Sequence, residues 1–270
     1  MRGPSRASLA EARQQLSAVV TSAAAARTLG DELFAVVALL DAEPALRRAV
    51  ADGSRPAEAR TGLVRELLGG KVGDATLDLV VTLAAGHWSS PADLSEAAEQ
   101  LAVLAIVAAA ERGRHLDDLE DELFRFGRVV AGAPELRIVL SNPDIPAEYK
   151  RGLLDSLLED KATADARRLI SEAATHPRGR NLDASLAEYA RLAAQWRERL
   201  IALVRVAIAL SAGQRERLAA ALEAAYGHEV HLNVVIDPHL VGGMSVRIGD
   251  EFIDGSVASR LAVLRRRLAA

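Results

Sequence analysis

A mainly α-helical chain, with a duplicated amino-terminal helical bundle and a small α/β domain at its carboxyl end, is predicted by three observations. Half of the 270 residues are hydrophobic but only 3% are aromatic. The core must then be built from Ala, Leu and Val, which suits closely packed helices. The segment Asp31 to Leu68 returns without a gap as Asp121 to Leu158, an offset of 90 residues, as from Phe34 to Phe124. Beyond residue 200 the hydrophobic period shortens from the 3.6 of a helix to the 2 of a strand.

Within the repeat, Asp31-Glu32-Leu33-Phe34 returns as Asp121-Glu122-Leu123-Phe124. Pro44 pairs with Pro134, Pro56-Ala57-Glu58 with Pro146-Ala147-Glu148, Gly62-Leu63 with Gly152-Leu153, and Lys71 with Lys161. Agreement over so long an ungapped stretch reads as a duplication. A helix is expected from Ala7 to about Leu29. Leu33, Val36, Val37 and Leu40 recur at helical spacing, and Pro44 and Pro56 each stand where a helix starts. Leu63, Leu67 and Leu68 share one face; Leu77, Val80, Val81 and Ala84 form a further stripe. In the second copy Leu153, Leu157, Leu169, Ile170 and Ala173 repeat the pattern. Short connections make neighbouring helices antiparallel.

The helix after Pro91, running to about Arg112, aligns with the helix that closes the second copy (Leu182 to about Arg199). It aligns equally with the helix that opens the first. Either one helix closes one bundle and opens the next, or two helices merge end to end. The expected division is residues 1–94 for the first bundle, 95–199 for the second and 200–270 for the small domain.

Leu200 to Leu210 reads as the first strand of that domain. Ser211-x-x-Gln214 is a capping-box pattern opening a helix with Leu218, Leu222 and Ala225 on one side. Val230, Leu232, Val234 and Ile236 alternate with polar neighbours. Asp237-Pro238 turns the chain, Gly242-Gly243 permits a close crossing or an unusual backbone, and Met244, Val246 and Ile248 alternate again. Gly249-Asp250 is a turn, Phe252-Ile253 a short strand, and Ser256 fits the cap of a last helix with Val257, Leu261, Leu264 and Leu268 on one face.

The string Ile236-Asp237-Pro238, Gly242-Gly243, Val246-Arg247-Ile248-Gly249-Asp250 and Ile253-Asp254-Gly255-Ser256-Val257 resembles the carboxyl-terminal signature of the delta subunit family of F-type ATP synthases. The mitochondrial counterpart is the oligomycin-sensitivity-conferring protein. Residues from about Ser95 onward resemble an ordinary member of that family, and the first bundle is extra, as in extended actinobacterial forms. The resemblance implies a non-catalytic stator component joining the catalytic head to the membrane-bound peripheral stalk, so that proton-driven rotation is coupled to ATP synthesis. It implies two partners. The amino-terminal helix of an alpha subunit would dock between the first and fifth helices of a bundle. Carried onto the second bundle, that groove involves Leu101, Leu104, Ala105 and Ala108 with Leu169 and Ala173. The b subunit would meet the carboxyl-terminal domain, whose Gly242, Gly243, Asp254, Gly255 and Ser256 shape the fold. The extra bundle is expected to add a stalk or head contact, and the remainder from Ser95 to fold without it. The expected place is the cytoplasmic side of the cell membrane, peripheral and held through the complex.

Chemistry of other kinds is not called for. A net charge of −4 argues against general nucleic-acid binding. No cysteine is present, which removes disulfides and thiolate metal sites. The longest uncharged apolar run, Leu101 to Ala110, is too short to span a bilayer, and no cleaved signal is expected. Gly69-Gly70-Lys71 lacks the spacing and hydroxyl of a phosphate loop and reads as a helix end. His228 and His231 enter a strand, where residues three apart face opposite sides, so no metal is expected there. The acidic run Asp117-Asp118, Glu120-Asp121-Glu122 suits the start of a helix. Arg260, Arg265, Arg266 and Arg267 serve either a partner contact or a helix carboxyl end. No cofactor is expected. A free-standing helical adaptor and an enzyme with an unrecognised site are the competing readings.

Overall fold

The computed structural model describes residues 3–198, 201–226, 230–237, 240, 242–248 and 251–254. Two compact units result, Met1–Ala193 and Ala194–Ala270. The first begins with α1 (Gly3–Val19), α2 (Ala23–Ala42), α3 (Pro44–Ala51), α4 (Ala57–Leu68) and α5 (Asp74–Ala85). It continues with α6 (Pro91–Arg112), α7 (Leu116–Gly132), α8 (Pro134–Ser141), α9 (Ala147–Leu158), α10 (Ala164–Thr175) and the part of α11 (Leu182–Glu198) that precedes Ala194. No helix among the described residues is long and apolar enough to cross a membrane.

The expected single helix from Ala7 to Leu29 is two helices. Val20 and Thr21 are β-branched, and Ser22 turns its hydroxyl onto the N–H of Ala25 as the N-cap of α2. The two halves of the unit repeat more than hydrophobic spacing. In the first, the Glu32 carboxylate on α2 accepts from the Gly73 N–H at 3.1 Å and from the Thr76 hydroxyl at the start of α5. In the second, Glu122 on α7 accepts from the Thr163 N–H at 2.9 Å and its hydroxyl at 2.7 Å at the start of α10. Each carboxylate meets the positive end of a helix dipole. The opposite ends receive buried cations. Arg60 donates to the Gly86 carbonyl at 2.7 Å, and Lys150 reaches the Ala174 carbonyl at 3.5 Å. Burial lowers the Lys150 pKa. The left-handed turn after α4 falls on Gly70 (φ 71°), and its counterpart after α9 on Asp160 (φ 56°).

Between the halves lies α6, one unbroken helix from its Ser90 cap to Gly113. Every residue from Leu101 to Ala110 is buried. Helix α6 packs against α1, α2, α3 and α5 on one side and against α7 and α10 on the other. It therefore closes the first bundle and opens the second, and a boundary at residue 94 would cut it within its first turns. Burying Leu101, Val103, Leu104, Ile106 and Val107 stabilises the unit by about 1.5–3 kcal/mol each. Alanines elsewhere on α6 let its neighbours come close. The approach is close at Gly30 of α2, where a Cβ would lie 2.6 Å from Ile106 Cδ1 and 3.3 Å from the Ala102 carbonyl oxygen.

The second unit contains β1 (Ile201–Val206), α12 (Ala212–Tyr226), β2 (His231–Ile236), β3 (Met244–Ile248) and β4 (Glu251–Asp254). The sheet order is β2-β1-β3-β4, with β1 and β2 parallel and the other pairs antiparallel. The parallel pair requires a crossover, which α12 provides. Its start is the expected capping box: Gln214 N–H donates to the Ser211 hydroxyl, and Ser211 N–H to the Gln214 side chain at 2.9 Å. Ala202, Val204, Val206, Leu222, Val230, Val246 and Ile248 form the core. Tyr226 at the end of α12 donates to Glu251 at 2.6 Å; burial, then this bond, pushes its pKa up to about 12.

Gly30→Ala is expected to cost ~1–3 kcal/mol in urea unfolding, because Ile106 and α6 must give way. Gly62→Ala, on α4 where a Cβ meets nothing within 4 Å, should be neutral or gain up to ~1 kcal/mol. Deleting residues 1–94 strips one side of α6. The fragment is expected to aggregate in size-exclusion chromatography and to lose near-ultraviolet dichroism, in place of the independent folding expected from sequence.

Candidate functional site

The six residues expected to line a docking groove all lie in the interior. Leu101, Ala105, Ala108 and Leu169 are fully buried, Ala173 is 1% exposed and Leu104 3%. Leu101, Ala105 and Ala108 extend, at helical spacing, the stripe that begins with Leu94 and Ala98. Those two face Val50, Val64 and Leu83 across an apolar cavity in the first bundle. This face of α6 is thus covered by the chain's own first bundle and is not an open groove. The repeat carries the signal that reveals this. At an offset of 90, Leu101, Leu104 and Ala105 correspond to Glu11, Gln14 and Gln15 of α1, polar residues that are exposed or half-buried. The helix covered on both sides is apolar where its counterpart, covered on one, is polar.

In the first bundle the corresponding seam runs between α1 and α5. It is bridged by small and polar side chains. Ser8 bonds both to the N–H of His87 at 2.9 Å and to its carbonyl at 3.2 Å, and Thr82 donates to Gln15 at 2.5 Å. Ala18 and Ala85 on the two helices are exposed.

Sequence reasoning misses a second feature. Glu99 interrupts the apolar face of α6, and its carboxylate is 3% exposed. It accepts from Tyr189 at 2.7 Å, from Arg178 at 3.2 Å and from Arg180. Arg178 also donates to Glu172 at 2.6 Å and to Asp41 of α2 at 2.9 Å. Burial by itself would raise the Glu172 pKa. Hydrogen bonds from His176 and Arg178, with the charge of Arg178, reverse this and hold it at about 2. Arg178 is shifted up, its loss of hydration outweighed by Glu172. Tyr189 is also shifted up, by burial and by the charge of Glu99. The cluster joins α2, α6, α10, the loop after α10 and α11. The carboxylates of Glu99 and Glu172 each accept from arginines, so the cluster fixes the relation of these helices, while the buried Nε of Arg180 has no hydrogen-bond partner. Among the described residues no group of His, Asp or Glu is arranged to hold a metal ion. The signal for the cluster in the sequence is the carboxylate of Glu99 itself, placed two residues before the apolar run that starts at Leu101.

In the second unit, Gly243 has φ 81°, which explains a glycine there, and Gly242 is half-buried. Asp254 ends β4 opposite Ser245. Gly255 and Ser256, the last helix and its arginines, and His228 lie outside the described residues. Val235, Ile236, Phe252 and Ile253 are exposed apolar residues of this sheet.

The family described as "ATP synthase delta (OSCP) subunit" matches residues 103–268. The chain belongs to this family. It is 48% identical over 269 residues to "ATP synthase subunit delta" of Thermobifida fusca, with both chains covered in full. The proteins of the same name from Streptomyces griseus and Acidothermus cellulolyticus are 47% and 45% identical, again over the full length of both chains. The family match begins inside α6, so it takes in the second bundle and the sheet unit. The full-length matches show that those relatives share the first bundle too.

Glu172→Gln gives a test of the buried cluster. A carboxylate held below its ordinary value stabilises the fold above that value. Its contribution, on the order of 3 kcal/mol, is lost as pH falls from about 4.5 toward about 2. Acid unfolding followed by circular dichroism should show this loss in the parent chain and a flatter limb, from a lower starting stability, in the variant.

Proposed function

We propose that the chain is a non-catalytic peripheral-stalk subunit of an F-type ATP synthase, holding the catalytic head to the stalk while the central shaft turns. Full-length identity to proteins named as that subunit carries this reading. The architecture supports it physically. A stator joint must resist torque and hold two partners, and two separately packed units supply two binding surfaces. The head and the stalk's b subunit are the partners this role requires. Association with the cytoplasmic face of the cell membrane then comes through the complex.

The alpha subunit's amino-terminal helix docks, in this reading, along the α1–α5 seam of the first bundle. What supports it is the covering of the equivalent second-bundle face by the chain itself, together with the small side chains at Ser8, Ala18, Thr82 and Ala85. An amphipathic helix lays one face into such a seam. The b subunit is assigned to the sheet unit, whose exposed Phe252 and Ile253 offer apolar area.

Titrating the chain with a peptide of its own alpha subunit's amino-terminal helix, by calorimetry, tests the head contact. Saturable binding should weaken at least tenfold in Ala18→Arg and Ala85→Arg, both exposed sites, and stay unchanged in Glu66→Arg on α4. Binding that ignores the first two substitutions places the helix elsewhere, and no binding removes the assignment to this unit.

A further inference from the structure

The duplication places the same aspartate–phenylalanine pair of a helical stripe in two different surroundings. On α2 the stripe comprises Arg27, Asp31, Phe34 and Asp41, and it is covered by the second bundle. Arg27 makes a two-pronged pair with Asp165, at 2.7 and 2.9 Å. Asp31 accepts from Arg168 at 2.6 Å, and the Arg168 guanidinium carbon sits 4.5 Å from the centre of the Phe34 ring. Asp41 accepts from Arg178 further on. The pairs advance together along both segments, so α10 runs parallel to α2. Phe34 is 3% exposed as a result.

Ninety residues on, Asp31 and Phe34 recur on α7 as Asp121 and Phe124, while Arg27 becomes Asp117 and Asp41 becomes Ala131, with Arg128 nearby. Among the described residues no further helical bundle follows the second, and Phe124 is 64% exposed, with Val129 at 56%. A phenylalanine and an aspartate one turn apart are retained here, facing outward, in the arrangement that on α2 receives an arginine. A covered site of known geometry thus supplies the template for an uncovered one.

We infer that the Asp121–Phe124 stripe of α7 is a docking surface for a basic helix of another subunit. That helix lies parallel to α7 and places an arginine over the Phe124 ring and against Asp121, as Arg168 does for Phe34 and Asp31. Arg128, two turns beyond Asp121, calls for an acidic residue about two turns after the arginine. A second copy of this chain does not meet these requirements. Its own counterpart of α10 is α5, where Asp78 stands for Arg168, Ala75 for Asp165 and Thr82 for Glu172. Asp78 against Asp121 is repulsive, so head-to-tail stacking of chains is disfavoured and the site is left for a different partner.

The inference rests on the chain's place in the complex but not on which seam the alpha helix occupies. Because the chain has no cysteine, Phe124→Cys carries a single thiol. Its maleimide labelling rate is compared in the free chain and in the purified, detergent-extracted complex. Labelling should fall at least tenfold on assembly. A benzophenone attached to the same thiol should then cross-link to a helical segment with an arginine or lysine within one turn. Asp121→Arg should reduce retention in the complex, and Arg→Asp at the cross-linked position should restore it. Equal labelling in both states overturns the inference, as does a cross-link to lipid, to a second copy of this chain or to a segment without basic residues. Loss of co-purification by the parent chain removes the stator reading, whereas a co-purifying chain with an unprotected thiol removes this inference alone. Unchanged thermal melting of both variants shows that folding is not the cause.

Discussion

The first unit depends on a helix with no solvent face. From Leu101 to Ala110 every side chain of α6 is interior, so its neighbours are placed by the requirement to cover it on all sides. An amphipathic helix needs one partner layer; a helix apolar all round needs two. The two bundles are those two layers. Alanine and Gly30 keep the layers close, and close packing leaves little tolerance for added volume. The single carboxylate that α6 carries inside, Glu99, needs hydrogen-bond donors around it, and Arg178, Arg180 and Tyr189 provide them. Burial of α6 thus dictates both the small residues beside it and the ion cluster at its amino-terminal half.

The duplication separates interactions within a bundle from those between bundles. Features internal to a bundle are kept in both copies: Glu32 and Glu122 at helix starts, Arg60 and Lys150 at helix ends, Gly70 and Asp160 in left-handed turns. Lysine for arginine and aspartate for glycine are accepted because the position needs only a cation or a backbone angle. Faces that meet the other bundle diverge. Glu11 becomes Leu101, Asp78 becomes Arg168, and the ring of Phe34 is covered where that of Phe124 is not. Repeat proteins distinguish inner from terminal surfaces in this way, since each unit's stability includes its interface with the next.

A stator has to transmit force without unfolding. The features that join the two bundles are of the kind that resist shear: a shared continuous helix, bidentate Arg–Asp pairing between α2 and α10, and buried charges that cannot be exposed one at a time without cost. The sheet unit has its own core around Val204 and Val246 and can be shaped independently for its own partner.

The sequence by itself determined the helical class, the repeat and its register, the proline-started helices, the capping box at Ser211, the alternating strands and the family. Each of these is a local pattern or a string of residues, and local patterns are set by chain geometry before any long-range contact forms. Tertiary structure alone decided which apolar stripes are core and which are surface. Leu101, Leu104 and Ala105 look like a docking face when α6 is read as the first helix of one bundle, and become interior once the other bundle is in place. Phe34 and Phe124 each close the same Asp-Glu-Leu-Phe segment, yet one is buried and the other is not. Burial is a property of what lies across the interface, and the residues that lie across it here are more than a hundred positions away in the chain.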